Sequence, residues 1–206
     1  QRISQSISVS LDLLKKKKIA FSGSRKASEK GLWITQDCVK QLATDKDVCI
    51  VSGYAAGIDI TAHYSALNEG LSTIIVLPEG ISHFVIHKEL QPVWDLDRVL
   101  VISEFFPYDR WLEGRAMQRN KTIISLCDAI VVVEAGEKGG SLDAGKQTLQ
   151  LGKKLFVPQY SLPPVSALGN TQLLQGGAQP LMMNPSSHQT NLTGLWHAIQ
   201  TKQSNT

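Results

Sequence analysis

Three short segments rich in glycine and serine have the composition of a phosphate-binding site. Their sequences are SGSRKAS (22–28), SGYAAGIDITAH (52–63) and EAGEKGGSLDAG (134–145). Glycine lets the backbone turn tightly and present its N–H groups to an anion, serine adds a hydroxyl, and arginine adds a guanidinium fork. Any one segment alone would equally suit a simple turn of the chain. Together they predict a phosphate site formed by Gly23, Ser24, Arg25, Ser52, Gly53, Gly57, Gly139, Gly140 and Ser141.

A predicted helix over 115–126 supplies further cations. Arg115 stands at its start, and the run Arg119-Asn120-Lys121 follows one turn later. Charges on a helix commonly face solvent, but a cluster of this kind also suits a groove that contacts several phosphates of a nucleic-acid backbone. We therefore add these four residues to the predicted phosphate site.

Three polar residues in the same segments are open to two interpretations. Asp59 and His63 are four residues apart and so share one helix face, and Glu134 follows a strand beside the Gly-Gly-Ser turn. Each could lie near a ribose or anchor a glycine-rich loop. We assign no catalytic residue, metal ligand or cofactor. Trp111 is the one tryptophan that we consider for stacking on a base, although packing is the commoner role of tryptophan.

The elements that must position these residues alternate along the chain. Strands are predicted at 18–23, 48–53, 72–78, 98–104, 129–135 and 154–159, and helices at 28–44, 57–69, 83–91, 115–126, 141–151, 166–175 and 190–200. The strands are continuously apolar, as is typical of strands covered on both faces. We therefore predict an α/β fold with a doubly wound, mostly parallel sheet in a Rossmann-like three-layer sandwich. Residues 15–206 would form this single domain after an N-terminal extension at 1–14, and the glycine-rich segments would meet at the carboxyl edge of the sheet.

The composition of the 206 residues limits the class of protein. Charged residues make up 19% and apolar residues 42%, which is typical of a globular domain, and the net charge of +3 is compatible with a nucleic-acid or nucleotide partner. Three cysteines without CxxC spacing predict free thiols in a reducing compartment. No apolar run approaches the roughly 20 residues that span a bilayer, and the N-terminal lysines follow the apolar part, unlike a secretory signal. We expect a cytoplasmic protein with no membrane partner.

The motifs, taken in order, resemble the DNA-processing protein A family (DprA, also called Smf). They are Gly-Ser-Arg (23–25), SGYAAGIDITAHYSAL (52–67), SE (103–104), RNKTIISLCDAIVVVEA (119–135), KGGSL (138–142), KKLFVP (153–158) and GNTQLLQGGA (170–178). The resemblance implies a non-enzymatic core that binds single-stranded DNA through its phosphates, without sequence preference. It also implies a homodimer that helps to load a RecA-type recombinase during DNA uptake or recombination. Because Ala56 replaces a usual basic residue and the 206 residues leave no room for flanking domains, we interpret the chain as a divergent, core-only member.

Two alternative functions remain open. The wider superfamily includes the lysine-decarboxylase-like phosphoribohydrolases, which release the base from a nucleoside monophosphate. Where those enzymes carry Pro-Gly-Gly-x-Gly-Thr-x-x-Glu, this chain has EKGGSLDAG, which lacks the threonine and the helical glutamate, and Asp143 does not fall at the spacing to replace that glutamate. The other alternative is a nucleotide sensor that binds an ADP-ribose-like signal, for example in antiviral defence.

Overall fold

The computed structural model describes residues 11–200 and contains a seven-stranded sheet. The strands are β1 (Lys17–Ser22), β2 (Val48–Ser52), β3 (Ser72–Val76), β4 (Val99–Ile102), β5 (Ala129–Val132), β6 (Lys154–Pro158) and β7 (Gln179–Leu181). All neighbours pair in parallel, in the order β4-β3-β2-β1-β5-β6-β7. The chain therefore moves outward from β1 to β4 and returns to β5 beside β1. The predicted doubly wound α/β fold is confirmed.

Within the described residues 11–200, six α-helices cover the two faces of the sheet. They are α1 (Glu29–Leu42), α2 (Ile58–Asn68), α3 (Glu113–Leu126), α4 (Gly140–Gln150), α5 (Asn170–Gln175) and α6 (Thr193–Gln200). Side chains of a strand point alternately to opposite faces. Ile19 and Phe21 accordingly pack with residues of α1, α2 and α6, whereas Ala20 packs with residues of α3, α4 and α5. Both faces of β1 are thus apolar, and three layers result.

The helix predicted over 83–91 is wrong. Two 3-10 turns, Ile81–His83 and Gln91–Val93, flank the segment instead, and residues 84–90 form no helix. The cause is a contact distant in sequence: the Tyr54 hydroxyl donates to the carbonyl of Val85 at 3.0 Å and accepts from the N–H of His87 at 2.6 Å. A side chain therefore binds backbone groups that a helix would need for its own hydrogen bonds.

Strand β7 is absent from the predicted elements. It has three residues, lies at the edge of the sheet and contains Pro180. A proline normally argues against a strand but is tolerated at an edge, where one side needs no hydrogen-bond donor. The pattern of a strand this short does not stand out from that of a loop.

The N-terminal extension predicted at 1–14 is described only from residue 11 onward. Residues 1–10 of the predicted extension lie outside the described residues, and Leu13 is buried in the core.

No helix between residues 11 and 200 is both long enough and apolar enough to cross a membrane. Within the same range no cluster of His, Cys, Asp or Glu has the arrangement of a metal site. Cys38, Cys49 and Cys127 are buried and free.

Asn170, the first residue of α5, joins the carboxyl ends of β5 and β6. Its side chain is buried, and its Oδ1 accepts from the N–H of Ala135 at 2.8 Å. Its Nδ2 donates to the carbonyls of Val133 at 2.9 Å and Pro158 at 3.1 Å. One side chain therefore satisfies three buried backbone groups just below the loop that follows β5.

We expect Asn170→Ala to lower the free energy of unfolding by about 2 kcal/mol, because buried backbone groups would lose their partners. Urea unfolding followed by circular dichroism would measure the change. Asn68→Ala is the matched control, since Asn68 is exposed at the end of α2 and should change stability by less than about 0.5 kcal/mol. Equal effects of the two substitutions would contradict the role of Asn170.

Candidate nucleic-acid interface

A cleft of about 450 Å³ opens at the carboxyl edge of the sheet, beside the ends of β1 and β5. The strand order reverses between these two strands, and open parallel sheets bind ligands at such a point because the neighbouring connections leave in opposite directions. The predicted site residues that line it are Gly23, Ser24, Arg25, Gly53, Asp59, Arg119, Asn120, Gly139, Gly140 and Ser141. The three glycine-rich segments therefore meet at one edge.

Arg119 is the cation most deeply set in this cleft. Its residue surface is only 7% exposed, and its guanidinium lies against the Cα of Gly53, where any Cβ would overlap Nη1. The Nε atom is buried and has no hydrogen-bond partner among the described residues. Burial lowers the pKa of Arg119, the carboxylate of Asp59 opposes that shift, and the charge of Arg25 adds to it. A buried guanidinium with an unpaired donor is a strong anion-binding group.

Asp59 lies in the same wall of the cleft. It is 6% exposed, and its Oδ2 accepts from the N–H of Ala55 at 3.2 Å. Burial raises the pKa of the Asp59 carboxyl, whereas the charge of Arg119 opposes that shift. Asp59 thereby offsets part of the charge of the buried arginine and holds the loop after β2, one of the two roles its sequence position predicts.

The loops after β1 and β2 pack directly on each other. The N–H of Ile58 donates to the carbonyl of Ser24 at 3.3 Å, and Ser24 Oγ accepts from the N–H of Lys26 at 3.1 Å. Gly57 has a φ of 78°, and a Cβ there would overlap the Ser24 carbonyl. Gly57 does not line the cleft; it permits the close approach that holds Ser24 and the exposed Arg25 at the rim.

The start of α4 forms the opposite wall. Gly139, with a φ of 111°, and Gly140 are exposed, and an added Cβ at either position would meet no atom within 4 Å. Asn120 Nδ2 donates to the carbonyl of Gly140 at 3.4 Å, which ties α3 to α4. The first N–H groups of α4 and the positive end of its dipole are therefore open to an anion.

Ser52 and His63 lie behind the cleft. The Ser52 hydroxyl is buried and donates to the carbonyl of Phe21 at 2.6 Å. His63 Nδ1 lies 2.6 Å from Thr73 Oγ1, and burial, with a smaller effect of Arg119, lowers the pKa of His63 to about 3. The Ser52 hydroxyl does not line the cleft, which corrects its predicted place in the phosphate site. The His63 ring centre lies 6.1 Å from that of Tyr54 in the loop after β2, as the loop-anchoring role among its two predicted roles requires.

Glu134 anchors the start of α1. It is fully buried, and its carboxylate accepts from the N–H of Ser28 at 2.9 Å, the Ser28 hydroxyl at 2.5 Å and the Tyr160 hydroxyl at 3.1 Å. Ser28 in turn caps α1 by accepting from the N–H of Gly31 at 3.1 Å. Of the two roles predicted for Glu134, these contacts correspond to the anchoring of a loop and not to a contact with a ribose.

Arg115 and Lys121 are on α3 but outside the cleft. Arg115 Nη2 pairs with Asp109 Oδ1 at 2.9 Å, and its Nη1 donates to the carbonyl of Arg110 at 2.5 Å. Lys121 is exposed and does not line the cleft, because residues two apart on a helix do not face the same side. The predicted set of three cations on this helix is corrected to one, Arg119.

Several residues that line the cleft are absent from the predicted set. They are Ser22, Glu113, Met117, Gly136, Lys138, Asp143 and Ser166, together with apolar residues of the strands, helices and loops. Trp111, considered above for stacking on a base, also lines the cleft. Lys138 could have been found, since it directly precedes the Gly-Gly-Ser turn. Glu113 and Asp143 stand in the first turns of α3 and α4, where a carboxylate is stabilised by the helix dipole. The cleft therefore contains carboxylates as well as cations.

Comparison with known proteins gives close relatives. A family described as DNA recombination-mediator protein A matches residues 8–191. The DNA processing protein DprA of Streptococcus pneumoniae is 35% identical over 171 residues, which are 82% of this chain and 60% of that protein. Its X-ray structure has a TM-score of 0.74 at 33% identity, over 83% of this chain and 60% of the other.

A second solved structure covers more of both chains. DNA processing protein A of Helicobacter pylori, whose structure describes a single-stranded DNA binding mode, has a TM-score of 0.73 at 26% identity. The match covers 94% of this chain and 84% of that one. This chain spans 60% and 57% of the length of the curated relatives from S. pneumoniae and Bacillus subtilis. The chain belongs to the DNA recombination-mediator protein A family, which confirms its resemblance to DprA and Smf.

Proposed function

We propose that this chain binds single-stranded DNA through its phosphates, without sequence preference and without catalysis, in DNA processing, recombination or uptake. The observation that carries the proposal is the buried guanidinium of Arg119, whose Nε is unpaired in the described part of the chain, at the wall of the cleft. The single-stranded DNA binding of the H. pylori relative supports the same function for this chain.

The chemistry of the cleft supports recognition of a backbone more than of a base sequence. Its donors are the cations Arg25, Arg119 and Lys138 and the N–H groups at the start of α4. Contacts of this kind go to phosphates and carry no sequence information. Because Gly139 and Gly140 leave open space at the start of α4, a chain of linked nucleotides can pass the cleft without meeting a side chain at that point.

We expect Arg25→Ala to weaken binding of a labelled oligo-dT by about tenfold, because an exposed guanidinium at the rim is lost. Fluorescence anisotropy at two salt concentrations would measure the change. The logarithm of the association constant should fall with the logarithm of salt by about 0.7 for each phosphate contact, and the variant should lose about one contact.

Lys26→Ala is the matched control for that measurement. Lys26 is exposed, follows Arg25 directly and does not line the cleft. Its replacement removes the same charge but should leave the affinity within about twofold, because an exposed charge that does not line the cleft makes no fixed phosphate contact and is screened by salt. If both variants weaken binding equally, general charge and not a defined cleft attracts the DNA, and the proposed site is contradicted.

A nucleotide sensor is the second candidate, favoured by the size of the cleft. Its volume of about 450 Å³ lies within the range of small-molecule sites. Titration of ATP, AMP and ADP-ribose against oligo-dT separates the two functions. Tight binding of a mononucleotide with weak binding of the oligonucleotide would favour the sensor.

We further propose that the chain is not a phosphoribohydrolase. Glu134 follows β5 but is held by Ser28 and Tyr160, so it is not free to stabilise a ribosyl cation. The segment 137–145 lacks the threonine and the helical glutamate of those enzymes. An assay for free base from nucleoside monophosphates should therefore stay blank, and steady turnover would overturn this part of the proposal.

The remaining partners are proposed from the family alone. They are a second copy of this chain in a homodimer and a recombinase of the RecA type. We also propose a cytoplasmic location, since the three free thiols suit a reducing compartment.

A further inference from the structure

We propose that the loop between β4 and α3 forms an aromatic shelf, residues 105–112, on which bases of the bound single strand stack. This inference rests on the proposed function and adds a second kind of contact to it. Phe106 and Tyr108 are each 82% exposed, Leu112 is 56% exposed and Trp111 is 44% exposed. Large apolar side chains exposed together on one short loop indicate a binding surface.

The shelf is built to hold its shape. Asp109 closes a turn: its N–H donates to the carbonyl of Phe106 at 2.9 Å, and its Oδ2 accepts from the N–H of Phe106 at 3.2 Å. Arg115 fixes the same turn through its ion pair with Asp109, and its guanidinium lies 5.5 Å from the centre of the Phe105 ring. Arg115 is thus a positioning residue, and the aromatic rings are presented without a large ordering cost on binding.

A second loop, residues 80–83, holds the backbone of the shelf by hydrogen bonds. The N–H of Gly80 donates to the carbonyl of Asp109 at 2.8 Å, and the N–H of Ser82 donates to the carbonyl of Pro107 at 3.0 Å. His83 Nε2 lies 3.1 Å from the carbonyl of Tyr108. These contacts engage the backbone of the shelf and leave the rings of Phe106 and Tyr108 uncovered, which is unusual unless something else covers them.

The position of the shelf identifies the occupant. Trp111 itself lines the phosphate cleft, and the guanidinium of Arg25 lies 5.7 Å from the centre of its ring. A strand whose phosphate contacts Arg25 therefore has its base within reach of Trp111. Aromatic rings stack on any base, so this contact requires unpaired bases but no particular sequence. A duplex, whose bases are already stacked, could not use the shelf.

The experiment compares two oligonucleotides of equal length and charge, oligo-dT and an abasic strand, by fluorescence anisotropy. The wild-type chain should bind oligo-dT about tenfold more tightly, as expected for one stacked base. Trp111→Ala should remove most of that preference, so that the variant binds the two strands with similar affinity. Phe106→Ala and Tyr108→Ala are two further variants, and we expect each to reduce the preference for oligo-dT. Because both side chains are 82% exposed, neither substitution should disturb the fold.

Trp33→Ala is the matched control. Trp33 is 39% exposed, close to the 44% of Trp111, but it lies on α1 and does not line the cleft. Its replacement should preserve the preference for oligo-dT. Native circular dichroism of each variant would accompany the binding data.

The outcomes separate the shelf from the phosphate cleft. Equal binding of both strands by the wild-type chain would overturn the shelf but leave the cleft in place. Retention of the oligo-dT preference in all three shelf variants would also overturn it and would assign the loop to another partner, such as a protein. If Trp111→Ala weakened binding of both strands by the same factor, Trp111 would act only through Arg25, and the shelf would be overturned. Binding of neither strand would overturn the proposed function, and the shelf with it.

Discussion

Replacing Arg119 with alanine is expected to weaken binding of oligo-dT by about 100-fold, roughly 3 kcal/mol, while the fold is retained. The expected loss exceeds that for an exposed cation because Arg119 is buried in the cleft wall, where water competes poorly for its donors. Anisotropy titrations at low salt would measure the change.

Two further variants test whether position or charge matters at this site. Arg119→Lys keeps the charge but loses the planar fork, and we expect it to recover only part of the affinity. Lys40→Ala removes one positive charge from the exposed end of α1, away from the cleft, and should change the affinity by less than about twofold. If Arg119→Ala behaves like Lys40→Ala, the cleft does not hold the phosphate.

The sheet and the edge that carries the site could be predicted because both depend on local patterns. Continuously apolar strands alternate with longer amphipathic segments, and glycine-rich turns follow strands that must be parallel. Local patterns failed over 83–91, where the predicted helix does not form. Its backbone is bound by the hydroxyl of Tyr54, about 30 positions earlier in the chain, and no pattern within 83–91 reports that contact.

The residues that line the cleft were harder to predict because side-chain direction decides them. Arg115 and Arg119 are four residues apart on α3, yet Asp109 draws Arg115 out of the cleft. Ser52 and Gly53 are adjacent, but Ser52 turns into the sheet toward Phe21 while Gly53 faces the guanidinium. The residue types indicated a phosphate site, and long-range partners determined which members face it.

Glu134 shows the same limit for a carboxylate. A strand-end glutamate beside a glycine-rich turn suits either a ribose contact or a loop anchor, and its spacing is the same in both cases. The choice depends on Ser28 and Tyr160, which are distant in sequence and converge on the carboxylate only after the sheet has formed. In the folded chain these partners occupy the Glu134 carboxylate, although its sequence position is equally compatible with a ligand contact.

Gly53→Ala is expected to weaken oligo-dT binding nearly as much as the loss of Arg119 itself, by about 30- to 100-fold. Gly53 has no positive φ, so its backbone accepts alanine without strain. The added Cβ, however, would occupy the position of the Arg119 Nη1 atom, and the guanidinium must leave the cleft wall. A single methyl group should thus act by displacing the cation that binds the phosphate.

Gly114→Ala provides the matched control for that substitution. Gly114 lies on α3 five residues before Arg119, and a Cβ there would meet no atom within 4 Å. Alanine at this position should leave DNA affinity unchanged and stabilise the helix by up to about 1 kcal/mol. The double variant Gly53→Ala, Arg119→Ala should bind no more weakly than Arg119→Ala alone, because both changes remove the same contact. Additive losses would mean that Gly53 contributes independently, for example through its own N–H, and near-normal binding by Gly53→Ala would show that the guanidinium need not lie against this loop to hold a phosphate.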